Sequence, residues 1–146
     1  RILQLSLVGV ELLLEGIVYA NGLAFSPDHE WVWISSTAPG SLLRAPLGPD
    51  GLPSGPVETV ADDAELAVAD GLAVAPDGTV FIAGFGTGRI YAWHDGALIT
   101  VAEAAAPPGL GGVASLAFGA GEGFSETALY ASNLLRPKLF EVELGN

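Results

Sequence analysis

The chain has no cysteine and no methionine anywhere in its 146 residues. Without cysteine there is no disulfide, no zinc–thiolate centre and no thiol nucleophile. Without a starting methionine, a chain that begins at Arg1 reads as processed, trimmed or cut from something longer. Basic residues are scarce: 5 Lys and Arg stand against 17 Asp and Glu, a net charge of −12 at pH 7. Such a surface repels phosphate backbones and anionic headgroups, which excludes nucleic acid and membrane surfaces as partners, and it attracts cations. Long hydrophobic runs are missing as well. The most apolar stretch, LAVADGLAVAP from Leu66, is interrupted by Asp70, ends on Pro76 and is too short to span a bilayer. No secretory leader is visible, so the expected location is the cytoplasm. No long segment keeps an apolar stripe at helical spacing between capping residues.

What remains is half apolar by residue count, with 20 Gly and 10 Pro scattered in short clusters. That is enough apolar material for the core of one domain, folded back on itself many times. Apolar residues alternate in short β-branched, aromatic and leucine-rich runs, the pattern of an all-β meander. The runs recur as a repeat: NGLAFSPD from Asn21, DGLAVAPD from Asp70 and ASLAFGAG from Ala114, spaced by 49 and 44 residues. Each copy is followed by a second run, WVWISST, VFIAGFG or TALYASN, and then by a third, LLRAPLG, RIYAWHD or KLFEVEL. Two copies add a fourth, PVETVAD and ALITVAE, while RILQLSL and VELLLEG at the start match only third and fourth strands.

Four short strands at a period in the forties are the mark of a β-propeller blade. The expected fold is therefore all-β, about three four-stranded blades in one partial propeller domain over 1–146, with blade segments at 1–16, 21–62, 70–103 and 114–145. Three blades do not close a ring, and an uncovered blade face is a large apolar surface exposed to water.

Asp28, Asp77 and Asp95 sit in Pro- or Gly-containing clusters between strands and read as turn formers. His29 and His94 fall in or beside turns and read as surface residues. The glycine-rich GFGTG from Gly84 lies between strands, and a phosphate loop needs a helix start, so it reads as a hairpin turn. No Gly-x-Ser-x-Gly elbow occurs, and Ser125 falls in a loop, which argues against a serine hydrolase. Asp62, Asp63 and Glu65 form an acidic group read as a solvated loop, with extra cation binding near the channel mouth as the competing reading. Trp31 and Trp33 share a strand face and read as packing between blades.

Asn21 and Asp70 are different. They head the first strands of two successive blades, and first strands line the channel of a propeller. Their side-chain oxygens would then converge, and Asp and Asn oxygens are what a hard cation such as Ca²⁺ takes. The alternative is that each only caps the loop before its strand.

The same residues carry a resemblance. NGLAFSPD, DGLAVAPDGTVFIAGFGTGRIYAW, ALYASN and the closing KLFEVELG resemble the C-terminal half of the regucalcin (senescence marker protein), gluconolactonase and luciferin-regenerating enzyme family. The resemblance covers essentially the whole chain. It implies half of a six-bladed propeller whose central divalent metal, usually calcium with zinc or magnesium as alternatives, is held by one Glu, two Asn and one Asp. By motif the second family asparagine falls on Asn21 and the aspartate on Asp70, the latter also the implied catalytic base or assistant in lactone hydrolysis. The family glutamate, its first asparagine and its substrate-holding arginine have no counterpart here. Where several relatives place Ile-Asp-Ser, this chain has Ile34, Ser35 and Ser36.

The function these residues imply is calcium-dependent hydrolysis of a lactone or related ester, competent once a second half or second chain supplies the missing ligands. A homodimer closing a six-bladed ring is one route, a missing N-terminal half the other. The alternatives are a non-catalytic half-propeller that binds or assembles and, less favoured, a strictosidine synthase-like carbon–nitrogen bond former.

Overall fold

Strand-forming residues in a strict sequence of short runs produce thirteen strands and no α-helix among the described residues of this computed structural model, which are 1–6, 9–103 and 110–144. The strands are β1 (Ile2–Ser6), β2 (Gly9–Leu14), β3 (Ala20–Phe25), β4 (Trp31–Ser36), β5 (Ser41–Pro46), β6 (Glu58–Asp62), β7 (Ala69–Val74), β8 (Val80–Gly84), β9 (Arg89–His94), β10 (Ala97–Glu103), β11 (Val113–Phe118), β12 (Ala128–Asn133) and β13 (Leu139–Glu143). They pair antiparallel with their sequence neighbours into four sheets: β1–β2, β3–β6, β7–β10 and β11–β13. The strand count per sheet, two, four, four and three, is the one the repeat gave. One 3₁₀ turn, Ala64–Val68, precedes β7.

The turns are made by the residues the sequence marked. Asp28 Oδ1 accepts from Ser26 Oγ at 2.5 Å and from the Glu30 amide at 3.0 Å. Asp77 Oδ1 accepts from the Thr79 amide at 2.9 Å. Asp95 takes a left-handed φ of 49° ahead of Gly96, the geometry of a two-residue hairpin. The GFGTG segment closes the β8–β9 hairpin.

The hydrophobic core lies between sheets. One cluster joins Leu14 to Val32, Ile34, Leu43 and Ala45, a second joins Trp33 and Leu42 to Leu72, Val80, Ile82 and Tyr91, and a third joins Phe81, Ala83 and Ile90 to Val113, Leu116 and Leu129. Each full sheet therefore buries both faces, as stacked blades do. The second strands β4 and β8 are buried almost throughout, while the fourth strands β6 and β10 are largely exposed. Trp33 is buried 5.4 Å from Trp93, and the half-buried Trp31 lies under the Arg44 guanidinium at 3.9 Å. Both indoles thus pack between blades.

The acidic group at the end of β6 and in the turn that follows is exposed, as the sequence reading has it, and each of its carboxylates also meets a donor. Asp62 accepts from Ser41 Oγ at 2.5 Å, and Asp63 caps the 3₁₀ turn by accepting from the Glu65 amide. Glu65 accepts from Tyr91 Oη at 2.6 Å and from Arg89 at 3.0 Å, which holds its carboxyl below the usual range. His94 is exposed as expected but not isolated: its ring lies 3.4 Å from Asp95 and 3.0 Å from Thr79 Oγ1.

Candidate metal centre at the strand heads

Each first strand begins with an irregular register. Pairing slips between Ala20 and Leu23 in β3, between Ala69 and Leu72 in β7, and between Val113 and Ser115 in β11. A bulge of this kind leaves a residue outside the ladder and re-aims its side chain, a device common beside functional sites. Asn21 and Asp70 both sit inside their bulges. The repeat thus places these two polar groups at equivalent, unpaired positions of adjacent blades. Ala114, with no donor atom, occupies the third.

The two heads are also brought unusually close. A Cβ on Gly22 would collide with the Asp70 carbonyl oxygen and stand 2.8 Å from the Leu72 nitrogen. A Cβ on Gly71 would stand 2.6 Å from the Ala114 carbonyl oxygen and 2.8 Å from Ser115 Cα. The glycine after each head residue is therefore what lets first strands approach each other along the chain of blades. In the third copy the corresponding residue is Ser115.

Side chains from β4 and the residue just after it stitch the first of these junctions. The Ser35 hydroxyl, 1% exposed, accepts from the Gly22 amide at 2.7 Å and donates to the Asp70 carbonyl at 2.6 Å. Thr37 Oγ1 donates to the Ala69 carbonyl at 2.7 Å and accepts from Asn21 Nδ2 at 3.2 Å. Sequence reading found the two head residues but gave Ser35 no function. A lone serine carries no spacing signal, and its role appears only when two blades are seen together.

The electrostatics suit a cation. Burial pushes the Asp70 carboxyl above its usual range, and a hydrogen bond from the Asn21 amide pulls it part of the way back. Among the described residues no Arg, Lys or His pairs with Asp70. With an amide hydrogen given to Thr37 Oγ1, Asn21 keeps Oδ1 as an acceptor. A half-buried carboxylate lacking a positive partner, beside a carboxamide oxygen, is a donor set that fits Ca²⁺ or another hard divalent ion. It fits as part of a coordination sphere, since such ions take about six to eight oxygens. No group of three or more His, Cys, Asp or Glu positioned for a metal occurs among the described residues.

No curated protein gives a significant match to the sequence. The fold, however, has close solved counterparts. A calcium-binding protein, regucalcin, from Agrobacterium tumefaciens superposes with a TM-score of 0.71 at 22% identity, over 92% of this chain and 49% of that one. A gluconolactonase from Xanthomonas campestris gives 0.69 at 20% identity, over 94% of this chain and 41% of its own. Virginiamycin B lyase from Staphylococcus aureus gives 0.57 at 18% identity, over 92% and 44%. The chain thus spans half or less of the length of these proteins. At such identities the likeness concerns the fold, and the sheets are propeller blades. The family model for the SMP-30/gluconolactonase/LRE-like region matches residues 2–130, and the chain belongs to that family.

Proposed function

We propose that this chain carries half of the centre of a metal-dependent hydrolase acting on a lactone or related ester, with Asn21 and Asp70 as its share of the ligands to a divalent cation, calcium foremost. The observation that carries this reading is the placing of Asn21 and Asp70 at bulged heads of adjacent first strands, where burial raises a carboxyl that no basic residue among the described ones neutralises. The remaining ligands belong to further blades, which for the isolated chain are those of a second copy.

When bound, the cation supplies Lewis-acid polarisation of the ester carbonyl. The chain's own groups do the rest. Asn21 Oδ1 and the Asp70 carboxylate hold and orient. Asp70 accepts a proton from water as its oxygen adds to the carbonyl carbon, and returns it to the alkoxide when the ring C–O bond breaks.

The test is hydrolysis of a simple aldonolactone, followed by proton release, with calcium and with chelator. The reading expects activity that needs the cation and that Asp70→Ala lowers by at least about a hundredfold, as loss of a positioned base does. Activity indifferent to Asp70→Ala, or none under conditions where the chain associates, overturns it in favour of a non-catalytic propeller module.

A further inference from the structure

Two junctions between full or nearly full blades can be compared within this one chain, and they are built differently. Pairing places Leu23 opposite Ile34, and Leu72 opposite Ile82, so Ala83 of the second full blade is the counterpart of Ser35. By the same register Phe85 is the counterpart of Thr37: the Thr37 amide donates to Tyr19 and the Phe85 amide to Val68, each the residue two before its blade's head. At the junction between Asp70 and Ala114 the second-strand positions are therefore an alanine and a phenylalanine, and the hydroxyl that stands there, Ser115 Oγ, comes from the first strand of the next blade. Among the described residues, second-strand hydroxyls bridge the junction between the two oxygen-bearing heads, Asn21 and Asp70, and no second-strand hydroxyl does so between Asp70 and Ala114.

The geometry points to Ser35 as a positioning residue for the Asn21–Asp70 pair, with Thr37 as its companion. Ser35 is almost fully buried and holds the Gly22 amide and the Asp70 carbonyl on one oxygen, at 2.7 and 2.6 Å. Those two groups belong to the backbone directly at or beside the two head residues. Their separation fixes the distance between the Asn21 and Asp70 side chains. Thr37 adds a second tie, from the Ala69 carbonyl to the Asn21 amide, which orients that amide with Oδ1 left available. Gly22 is the complementary device: it removes the one atom that would hold the heads apart. Ser35 touches neither cation nor substrate, so its effect passes entirely through the two head residues. Outer groups of this kind change cation affinity by about 10- to 100-fold when removed.

This inference rests on the metal-centre reading above, and the experiment separates the two. Ser35→Thr and Ser35→Val add the same bulk at the same buried place and differ only in the hydroxyl, so their comparison cancels the cost of the added methyl. Two readouts are taken on the full chain below its melting temperature: calcium affinity by calorimetry, and the Asn21 side-chain amide signals in a nitrogen-correlated NMR spectrum without metal. We expect Ser35→Val to bind calcium at least about tenfold more weakly than Ser35→Thr, and its Asn21 amide signals to collapse toward solvent-exposed values. If the unaltered chain binds no calcium while the Asn21 signals respond as described, the positioning role stands and the metal reading falls. If the two variants match in both readouts, Ser35 is packing and the inference is overturned.

Discussion

Asp70 carries a negative charge at a place where burial disfavours it and, among the described residues, no basic side chain offsets it. A group kept in that state costs the fold stability, and replacing it should reveal both the cost and the purpose. Because the folded pKa lies above the unfolded value of about 3.9, the penalty is absent at low pH, grows as pH rises through the folded value and is complete at neutrality. We therefore expect Asp70→Asn, which keeps shape and polarity but not charge, to raise the melting temperature at pH 7 and to leave it unchanged near pH 3. The same substitution should remove calcium binding, the usual exchange between stability and a functional charge. Thermal melts at both pH values, with and without calcium, check it; a lower melting temperature at pH 7 without metal would show the carboxylate to be a stabilising contact. Glu65 has the opposite sign. Tyr91 and Arg89 hold its carboxyl low, so the stability it lends is present above the ordinary glutamate range and is lost as pH falls through the depressed value.

At the scale of the strand, the dipeptides Asn-Gly and Asp-Gly divide their labour. In the proposed centre the first residue supplies the oxygen, and the second supplies the space. Gly22 and Gly71 both have ordinary backbone angles, so their requirement is steric: backbone atoms of the next first strand stand where a Cβ would go. We expect Gly22→Ala and Gly71→Ala each to cost about 1–3 kcal/mol through forced separation of blades, read as a lower urea midpoint. Gly22→Ala alone should also weaken calcium binding, since Gly71 borders Ala114. How far the sequence discloses this element follows from what repeats. Alternation, turn residues and copy spacing act within one blade, and they gave the strands, their grouping and the two head residues. The glycine contacts and the Ser35 bridge act between blades, across residues far apart in sequence, and left no local pattern; the bulges lie within a blade but carry no composition signal of their own. The contacts of Glu65 were illegible for the same reason, because Arg89 and Tyr91 reach it from a different hairpin.

At the scale of the whole molecule, the ends of the stack are unfinished, and the chain itself provides the standard for judging them. Leu72 and Leu116, facing the blade before, are 6% and 8% exposed, but the equivalent Leu23 is 49% exposed and Phe25 beside it 59%. Leu42, facing the blade after, is 1% exposed, while its counterpart Leu139, which pairs with Ser132 as Leu42 pairs with Ser35, is 63% exposed. The residues left in water are thus the ones that blade-to-blade contact covers elsewhere, and the surface that would cover them is another blade of this kind. Each copy offers both halves of such a contact, Leu23 at one end and Leu139 at the other. Three first strands per chain make six in two copies, the number the family resemblance implies for a closed ring. Closure as a twofold dimer would bring Asn21 and Asp70 of both copies around one axis, four oxygen-bearing groups with two charges. Opposing it is the charge of −12 on each copy, whose repulsion falls with ionic strength and with a shared cation. Sedimentation equilibrium at micromolar protein should therefore show twice the chain mass, with the dimer favoured by salt and more so by calcium. Leu139→Glu, which places a charge in the joint, should return the monomer while leaving the near-ultraviolet signal of the buried Trp33–Trp93 pair intact. A monomer under all these conditions would mean that the two ends do not recognise each other, and that the missing ligands are held by blades of a different sequence.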